Sequence, residues 1–287
     1  MDNGINLRQN EDRSIMMLAA QRQLYSDAKC LNNLAVVLSV LIPFGMSFVL
    51  LFVSEDSPLG IASYIVSIVS AIIAFIVDGA INRKRELAAS IQQGFDIYVY
   101  AMPWDSRLFG NENTHNNEIA AYSKKIMNNP KNKAELYNWY SPAIEGKPLL
   151  EAILTCQREN VWWDTGLRKR FKTASIIIVV AMCAIVFGIG IGQDENVTKL
   201  LWRFAFVAPM IEWLLGTIAQ INEDVRTLNE LDNNVRAKST RTMEELQDIQ
   251  KMLFDHRKKC FPIPNIVYAI FKNNDEDNAH RTAQMDD

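Results

Sequence analysis

Four long apolar blocks interrupt an otherwise polar chain, and their lengths decide what they are. Leu34 to Val53 carries no charge, and Gly60 to Ile81 carries only Asp78 near its end. Ala174 to Gly192 is uncharged, and Leu200 to Ile221 carries Arg203 and Glu212. A helix needs about 20 apolar residues to cross the roughly 30 Å hydrocarbon layer, where every backbone N–H and C=O must find its partner inside the segment. Each block meets that requirement, so four transmembrane helices are predicted. The connections Ser54 to Leu59 and Gln193 to Lys199 are very short and pair the spans into two tight hairpins.

The polar stretches also read as helix. From Glu11 to Lys29 there is no Pro or Gly, and Met17, Leu24, Ala28 and Leu31 recur at helical spacing, so a helix runs straight into the first span. Arg83 to Tyr100 prolongs the second span as a stalk until Met102-Pro103 stops it. Between Trp104 and Leu149, Asn, Gly and Pro predict short helices and loops without strands. Leu149 to Lys172 feeds the third span, with Gly166 a candidate break. After the fourth span, Ile221, Val225, Leu228, Asp232, Val235, Ser239, Thr242, Leu246, Ile249 and Leu253 follow a 3,4 alternation. That pattern predicts one long helix packed on the stalk or on a neighbouring subunit, ended by Phe261-Pro262-Ile263-Pro264. The expected architecture is an all-α membrane protein. Its N-terminal helix occupies 1–33, its hairpins 34–81 and 174–221, its helical polar region 82–173, its C-terminal helix 222–272 and a disordered tail 273–287.

Charge supplies an orientation. The two connections hold Glu55, Asp56, Asp194 and Glu195 against Lys199, whereas the opposite ends carry Arg22, Lys29, Arg83-Lys84-Arg85 and Arg168-Lys169-Arg170 with Lys172. The positive-inside bias places those basic ends, and with them both termini, on the cytoplasmic side. A net charge of −3 over 287 residues argues against a general polyanion binder, so no DNA partner is expected. Cys30, Cys156, Cys183 and Cys260 form no C-x-x-C pair and are expected to be reduced thiols. About thirty polar residues precede the first apolar block, unlike a secretory signal, so the N-terminus is expected to be retained. Asn196-Val197-Thr198 lies too close to the bilayer to act as a glycosylation acceptor.

Catalytic signatures are scarce. His115, His256 and His280 have no second His or Cys at ligand spacing, so neither a metal site nor a resident cofactor is expected. With no G-x-S-x-G or Walker loop, the chain is not read as an enzyme; Gly188 to Gly192 lies inside a span and suits close helix packing.

Within the membrane, Ser63, Ser67, Ser70, Ala74 and Asp78 share one face of the second span, which suits either helix packing or a wet pore. Ala181, Ala184, Gly188 and Gly192 form an apolar packing stripe on the third span. Glu212 lies nine residues from Ile221, roughly 13 Å deep at 1.5 Å per residue. A charge there is costly, so it is either at a water-lined or inter-subunit site or a neutral carboxyl bonded to a neighbouring helix. Arg203 is rotated about half a circle from it and snorkels toward the outer surface. Pro43 and Pro209 each free a backbone carbonyl and can bend their helices.

Before the third span, Cys156-Gln157-Arg158 through Trp162-Trp163-Asp164 to Leu167-Arg168 combines aromatics with arginines. Asp164 and Arg168 stand at ion-pair spacing, and Arg158 and Trp162 share the next face. Such a set can stack on bases and hold phosphates, or form a membrane-surface belt.

That block, together with Ala20-Gln21-Arg22-Gln23-Leu24-Tyr25 and with Phe254-Asp255-His256-Arg257 followed by Pro264 and Tyr268, resembles the SMODS-associated four-transmembrane pore-forming effectors of bacterial CBASS-type anti-phage systems. Asn265 departs from the pattern, where an acidic residue is expected. The resemblance implies an effector that oligomerises and breaches the inner membrane after a nucleotidyltransferase encoded alongside makes a cyclic oligonucleotide. Arg158, Trp162, Trp163, Arg168, His256 and Arg257 are the candidates for sensing that ligand, although no separate nucleotide-binding domain is visible. Glu212, Ser63, Ser67, Ser70 and Asp78 are the candidates for lining the pore. The residues leave two alternatives open: a non-conducting membrane scaffold and an ion-coupled transporter using Glu212.

Overall fold

The computed structural model describes residues 3–49, 57–193, 196–238, 241–265 and 267, and every regular element among them is a helix. After α1 (Ile5–Arg8), α2 (Asp12–Val36) passes through a π-helical turn, Val37–Leu41, into α3 (Ile42–Val49). Then come α4 (Pro58–Val99), the short α5 (Ser106–Phe109), α6 (Asn116–Met127) and α7 (Pro130–Ala134), and a 3-10 turn at Pro142–Ile144. Two long helices follow, α8 (Leu149–Gly192) and α9 (Val197–Arg236), and α10 (Met243–Lys259) closes the set.

Local chemistry accounts for these boundaries. Ser57 caps α4 by accepting from the Gly60 N–H at 3.0 Å, and Pro58 takes the first helical position, where its missing N–H costs nothing. At the other end the Met102 N–H reaches the Ile97 carbonyl and the Ala101 N–H the Tyr98 carbonyl, a Schellman closure with Ala101 in the left-handed region (φ 52°). Pro43 cannot donate to the Ser39 carbonyl, and the π turn that includes Ser39 absorbs the missing bond. Pro209 likewise leaves the Ala205 carbonyl unserved, and α9 bends by 57° between Val197–Ala205 and Val207–Arg236.

The helices containing 12–46, 58–99 and 149–192 are long and apolar enough to cross a membrane, and bent α9 supplies the fourth span. α3 lies along α4 and α8 along α9, giving the two expected hairpins, which meet where α3 and the π turn touch α9. Large apolar side chains on the spans point away from the chain: Phe75 is 81% and Ile191 75% exposed. Lipid or another subunit must cover them. Residues 50–56 and 194–195 in the connections, and the tail from 268, lie outside the described residues.

Below the spans, α2, α4, α8, α9 and α10 bury one core that includes Leu24, Phe95, Ile153, Leu231 and Leu253, with α6 laid on α2. Ile221, Val225, Phe261 and Ile263 form a smaller cluster beside the spans. Two expectations are corrected. Gly166 does not break α8, since a glycine costs only about 1 kcal/mol in a helix that packing holds on both sides. The expected single helix over 222–272 is two, because the chain turns between Arg236 and Met243 and α10 folds back on the stalk of α4 and on α8. Thr242 enforces the new start: its Oγ accepts from the Glu245 N–H at 3.3 Å and its N–H donates to Glu245 Oε2 at 3.0 Å. Thr242→Ala is therefore expected to lower unfolding free energy by about 1 kcal/mol in detergent denaturation curves, and an unchanged midpoint would contradict this cap.

Candidate functional site

In the spans, Ser63 and Ser70 are buried inside the chain. Ser63 donates to the Leu59 carbonyl (2.9 Å) and Ser67 to the Ser63 carbonyl (3.0 Å), so those hydroxyls are spent on their own helix. Asp78 is exposed and accepts from Asn82 Nδ2 at 3.3 Å. Arg203 donates to Gln193 Oε1 (2.8 Å), reaching for the hairpin connection as a snorkelling side chain does. Glu212 is exposed and has no hydrogen-bond or ion-pair partner among the described residues, so no neighbouring helix of its own chain shelters it. The stripe Ala181, Ala184, Gly188 and Gly192 also faces outward, whereas Val186 and Gly190 are buried. None of the described residues covers that stripe.

At the mouth of the spans the structure joins residues that are far apart in sequence. Arg168 of α8, 4% exposed, donates through Nη1 to Asp224 Oδ2 of α9 (2.6 Å) and to the Phe261 carbonyl (3.1 Å). Its Nε forms an ion pair with Asp164 Oδ1 at 2.9 Å. Asp164 Oδ2 is 2.8 Å from His256 Nε2, and Asp224 Oδ2 also accepts from the Phe261 N–H (2.9 Å). From α4, Arg85 donates to the carbonyls of Lys258 (2.8 Å) and Cys260 (3.1 Å). Together these bonds clasp the segment after α10 onto both hairpins. Burial alone would raise the Asp164 carboxyl, but the Arg168 guanidinium and the His256 hydrogen bond hold it well below the usual carboxylate range. Burial would likewise lower Arg168, and Asp164, Cys260 and Asp224 overcome it, so the guanidinium stays charged.

A second network lies deeper in the core. Arg257 donates to Asp96 Oδ2 (2.6 Å), which also accepts from Gln250 Nε2 (2.8 Å), while Tyr140 donates to Asp96 Oδ1 (2.6 Å) and Tyr100 to Tyr140 (2.7 Å). Asp96 is fully buried. Burial first, with Asp96 adding to it, pushes both tyrosine hydroxyls well above their ordinary value, so they serve here as neutral donors. Burial also raises the Cys156 thiol well above its usual range, which makes it inert.

Of the sensing candidates, Arg168 and His256 meet in the clasp and Arg257 joins Asp96, all three buried and paired inside the chain. A phosphate could reach those guanidiniums only by displacing carboxylates. Arg158 is half-buried and donates toward the Val235 carbonyl at 3.5 Å, and Trp162 and Trp163 are half-buried on α8. Sequence reasoning missed Asp96, Asp224, Tyr140 and Arg85. The available signal was Asp96 following Ala89 and Gln93 at helical spacing on what proves to be a buried face. Among the described residues, no group of three or more His, Cys, Asp or Glu is placed to hold a metal ion.

Comparison with known proteins covers this whole arrangement. The family model described as the SMODS-associating 4TM effector domain matches residues 3–285. The chain belongs to this family. It is 23% identical over 287 residues, covering 94% of either chain, to a protein of Bacillus cereus (strain VD146) named as a probable CBASS effector molecule. No solved structure matches. In this 4TM effector domain the match takes in both hairpins, the clasp and the Asp96 network.

Removing a carboxylate from the clasp should therefore cost more than a surface pair would. Asp224→Ala leaves Arg168 buried with one of its two carboxylates and is expected to destabilise the domain by about 3 kcal/mol. Because the Asp164 pKa is depressed on folding, its share of stability is present above about pH 4 and is lost as pH falls through the folded pKa. Unfolding curves at pH 7 and pH 3 should thus differ less for Asp164→Asn than for the parent. An equal loss in both proteins would remove Asp164 from the clasp.

Proposed function

We propose that the protein is the membrane effector of a CBASS-type anti-phage system: on a cyclic-oligonucleotide signal from a partner nucleotidyltransferase it assembles in the inner membrane and opens a pore. Membership of the 4TM effector family and the likeness to a probable CBASS effector molecule support the effector role. Assembly is supported by what a single chain leaves undone, since four helices enclose little space of their own.

Glu212 is the observation that carries the pore reading. It stands roughly 13 Å inside the span and is exposed, without a partner among the described residues. A carboxylate at that depth costs several kcal/mol unless it meets water or a polar group from another subunit. A ring of subunits placing Glu212 on a shared aqueous path satisfies it. The outward small-residue stripe on α8 offers a face where neighbouring copies can approach closely. Ser63 and Ser70 are buried within the chain and Ser63 and Ser67 donate to their own helix, so the path is assigned to Glu212 and not to the serine face. In this reading the basic ends of the hairpins and the helical bundle face the cytoplasm, where the signal is made.

Dye leakage from vesicles carrying the purified protein tests this. Glu212→Leu is expected to reduce leakage roughly tenfold or more while leaving the assembled mass unchanged, because it removes the polar wall of the path without touching the bundle. Undiminished leakage in Glu212→Leu would overturn this lining. Silence of the parent in planar bilayers with and without cyclic nucleotide would favour a non-conducting scaffold.

A further inference from the structure

Lys124, Lys125, Lys131 and Lys133 crowd into the end of α6 and the length of α7, and from Ile119 to Ala134 the chain has no acidic residue. Lys124, Lys125 and Lys131 are exposed and Lys133 is half-buried, and none of the four ammonium groups has a partner among the described residues. The next acid along is already engaged, since Glu135 accepts from Arg22 at 2.7 Å. Unpaired lysines on a soluble surface need no explanation beyond water. Here their place in the fold supplies one.

α6 packs along α2 and runs in the same direction, toward the first span. Just ahead of α6, Glu112 pairs with Arg13 near the start of α2 (3.1 Å). Further along, the Tyr122 ring lies 5.0 Å from Lys84 Nζ, which pairs with Asp27 near the other end of α2 (3.2 Å). Asp27 is roughly 10 Å of helix short of Leu34, where the first apolar block opens, and α6 continues roughly 9 Å past Tyr122 to Asn128. The turn at Asn128-Asn129-Pro130 therefore stands level with the mouth of the span, held by Asn129 Oδ1 accepting from the Lys131 and Asn132 N–H groups. From there α7 descends to Glu135 beside Arg22. In the sequence the four lysines are about forty residues from the second and third apolar blocks, and only the fold carries them to the bilayer.

We propose that the α6–α7 tip is a docking surface for the headgroups of anionic phospholipids. Lysine suits this partner, because a compact ammonium on a flexible stem meets a mobile phosphate without needing one fixed geometry. The attraction of a negative leaflet for a basic group decays within a Debye length, about 8 Å in physiological salt, and the tip lies inside that range. Contact there fastens the bundle to the leaflet beside α2, at a point separate from the spans. It requires neither a signal nor a pore, so it stands apart from the effector role proposed above.

Photo-crosslinking of the full-length protein tests the surface. With p-benzoylphenylalanine in place of Asn128, irradiation in phosphatidylglycerol nanodiscs should give phospholipid adducts, counted by intact mass. The same photoprobe in place of Thr114, at the far end of α6, should give none. Adducts at position 128 should fall about tenfold in phosphatidylcholine nanodiscs, and as far in phosphatidylglycerol when Lys124→Gln, Lys125→Gln, Lys131→Gln and Lys133→Gln are combined. The exchange of lipid needs no lysine variant, so it reads the charge dependence even if the fourfold variant fails to fold. Absence of adducts at 128, or equal labelling at 128 and 114, would place the tip away from the bilayer and overturn the proposal. Equal labelling in the two lipids would overturn it as well, since the contact would then owe nothing to charge.

Discussion

Two guanidinium groups taken out of water dictate how this protein is assembled. Arg168 and Arg257 are buried, and neither can be so without carboxylates within bonding distance. The carboxylates come from elsewhere in the chain: Asp224 from α9 for Arg168, and Asp96 from α4 for Arg257. Asp164, one turn from Arg168, reaches His256 on α10 as well. Satisfying both arginines therefore requires α10 to return across the bundle and the segment after it to settle between the hairpins. Buried pairs of this kind add little net stability over apolar packing, but they penalise every arrangement that leaves one partner alone. Their contribution is to select one docking of α10.

The position of the clasp gives that selection a consequence for the membrane. Arg168 precedes the third span by about 9 Å of helix and Asp224 follows the fourth by about 5 Å. Arg85 belongs to the stalk of the second span. One short segment, 258–261, thus touches helices from both hairpins just where they leave the bilayer. It adds a link below the membrane to the one the hairpins make within it, where they meet through α3, the π turn and bent α9. In the polar bundle Arg168 and Arg257 are matched by carboxylates of the same chain, while the spans carry exposed Glu212 and a small-residue stripe that faces outward. In the proposed effector, then, the bundle holds the chain together and the spans are where other copies are met.

Much of this was legible in the sequence, and the rest was hidden for physical reasons. The spans, the pairing into hairpins, the helical run-in of α2 and the stalk of α4 follow from block length and periodicity, which are local properties. Pro43 and Pro209 marked the π turn and the bend because a missing N–H acts within one turn. The break after α9 was masked because its 3,4 alternation continues through Asp232 to Thr242; the Thr242-x-x-Glu245 box was the contrary signal. Arg168, His256 and Arg257 stand out in the sequence, but the partners Asp224 and Asp96 lie tens of residues or more away. No spacing rule reaches across that distance, so residues that read as ligand-facing prove to be bonded to one another.

Native-state hydrogen exchange of the full-length protein in nanodiscs tests the clasp most directly. If the two arginines lock α10 and the following segment to the hairpins, amides of Leu246 to Cys260 should exchange as slowly as those in the stalks of α4 and α8, all opening in one cooperative event. Fast exchange over α10 and its following segment, with the stalks still protected, would show that the C-terminal segment rests on the bundle without holding it.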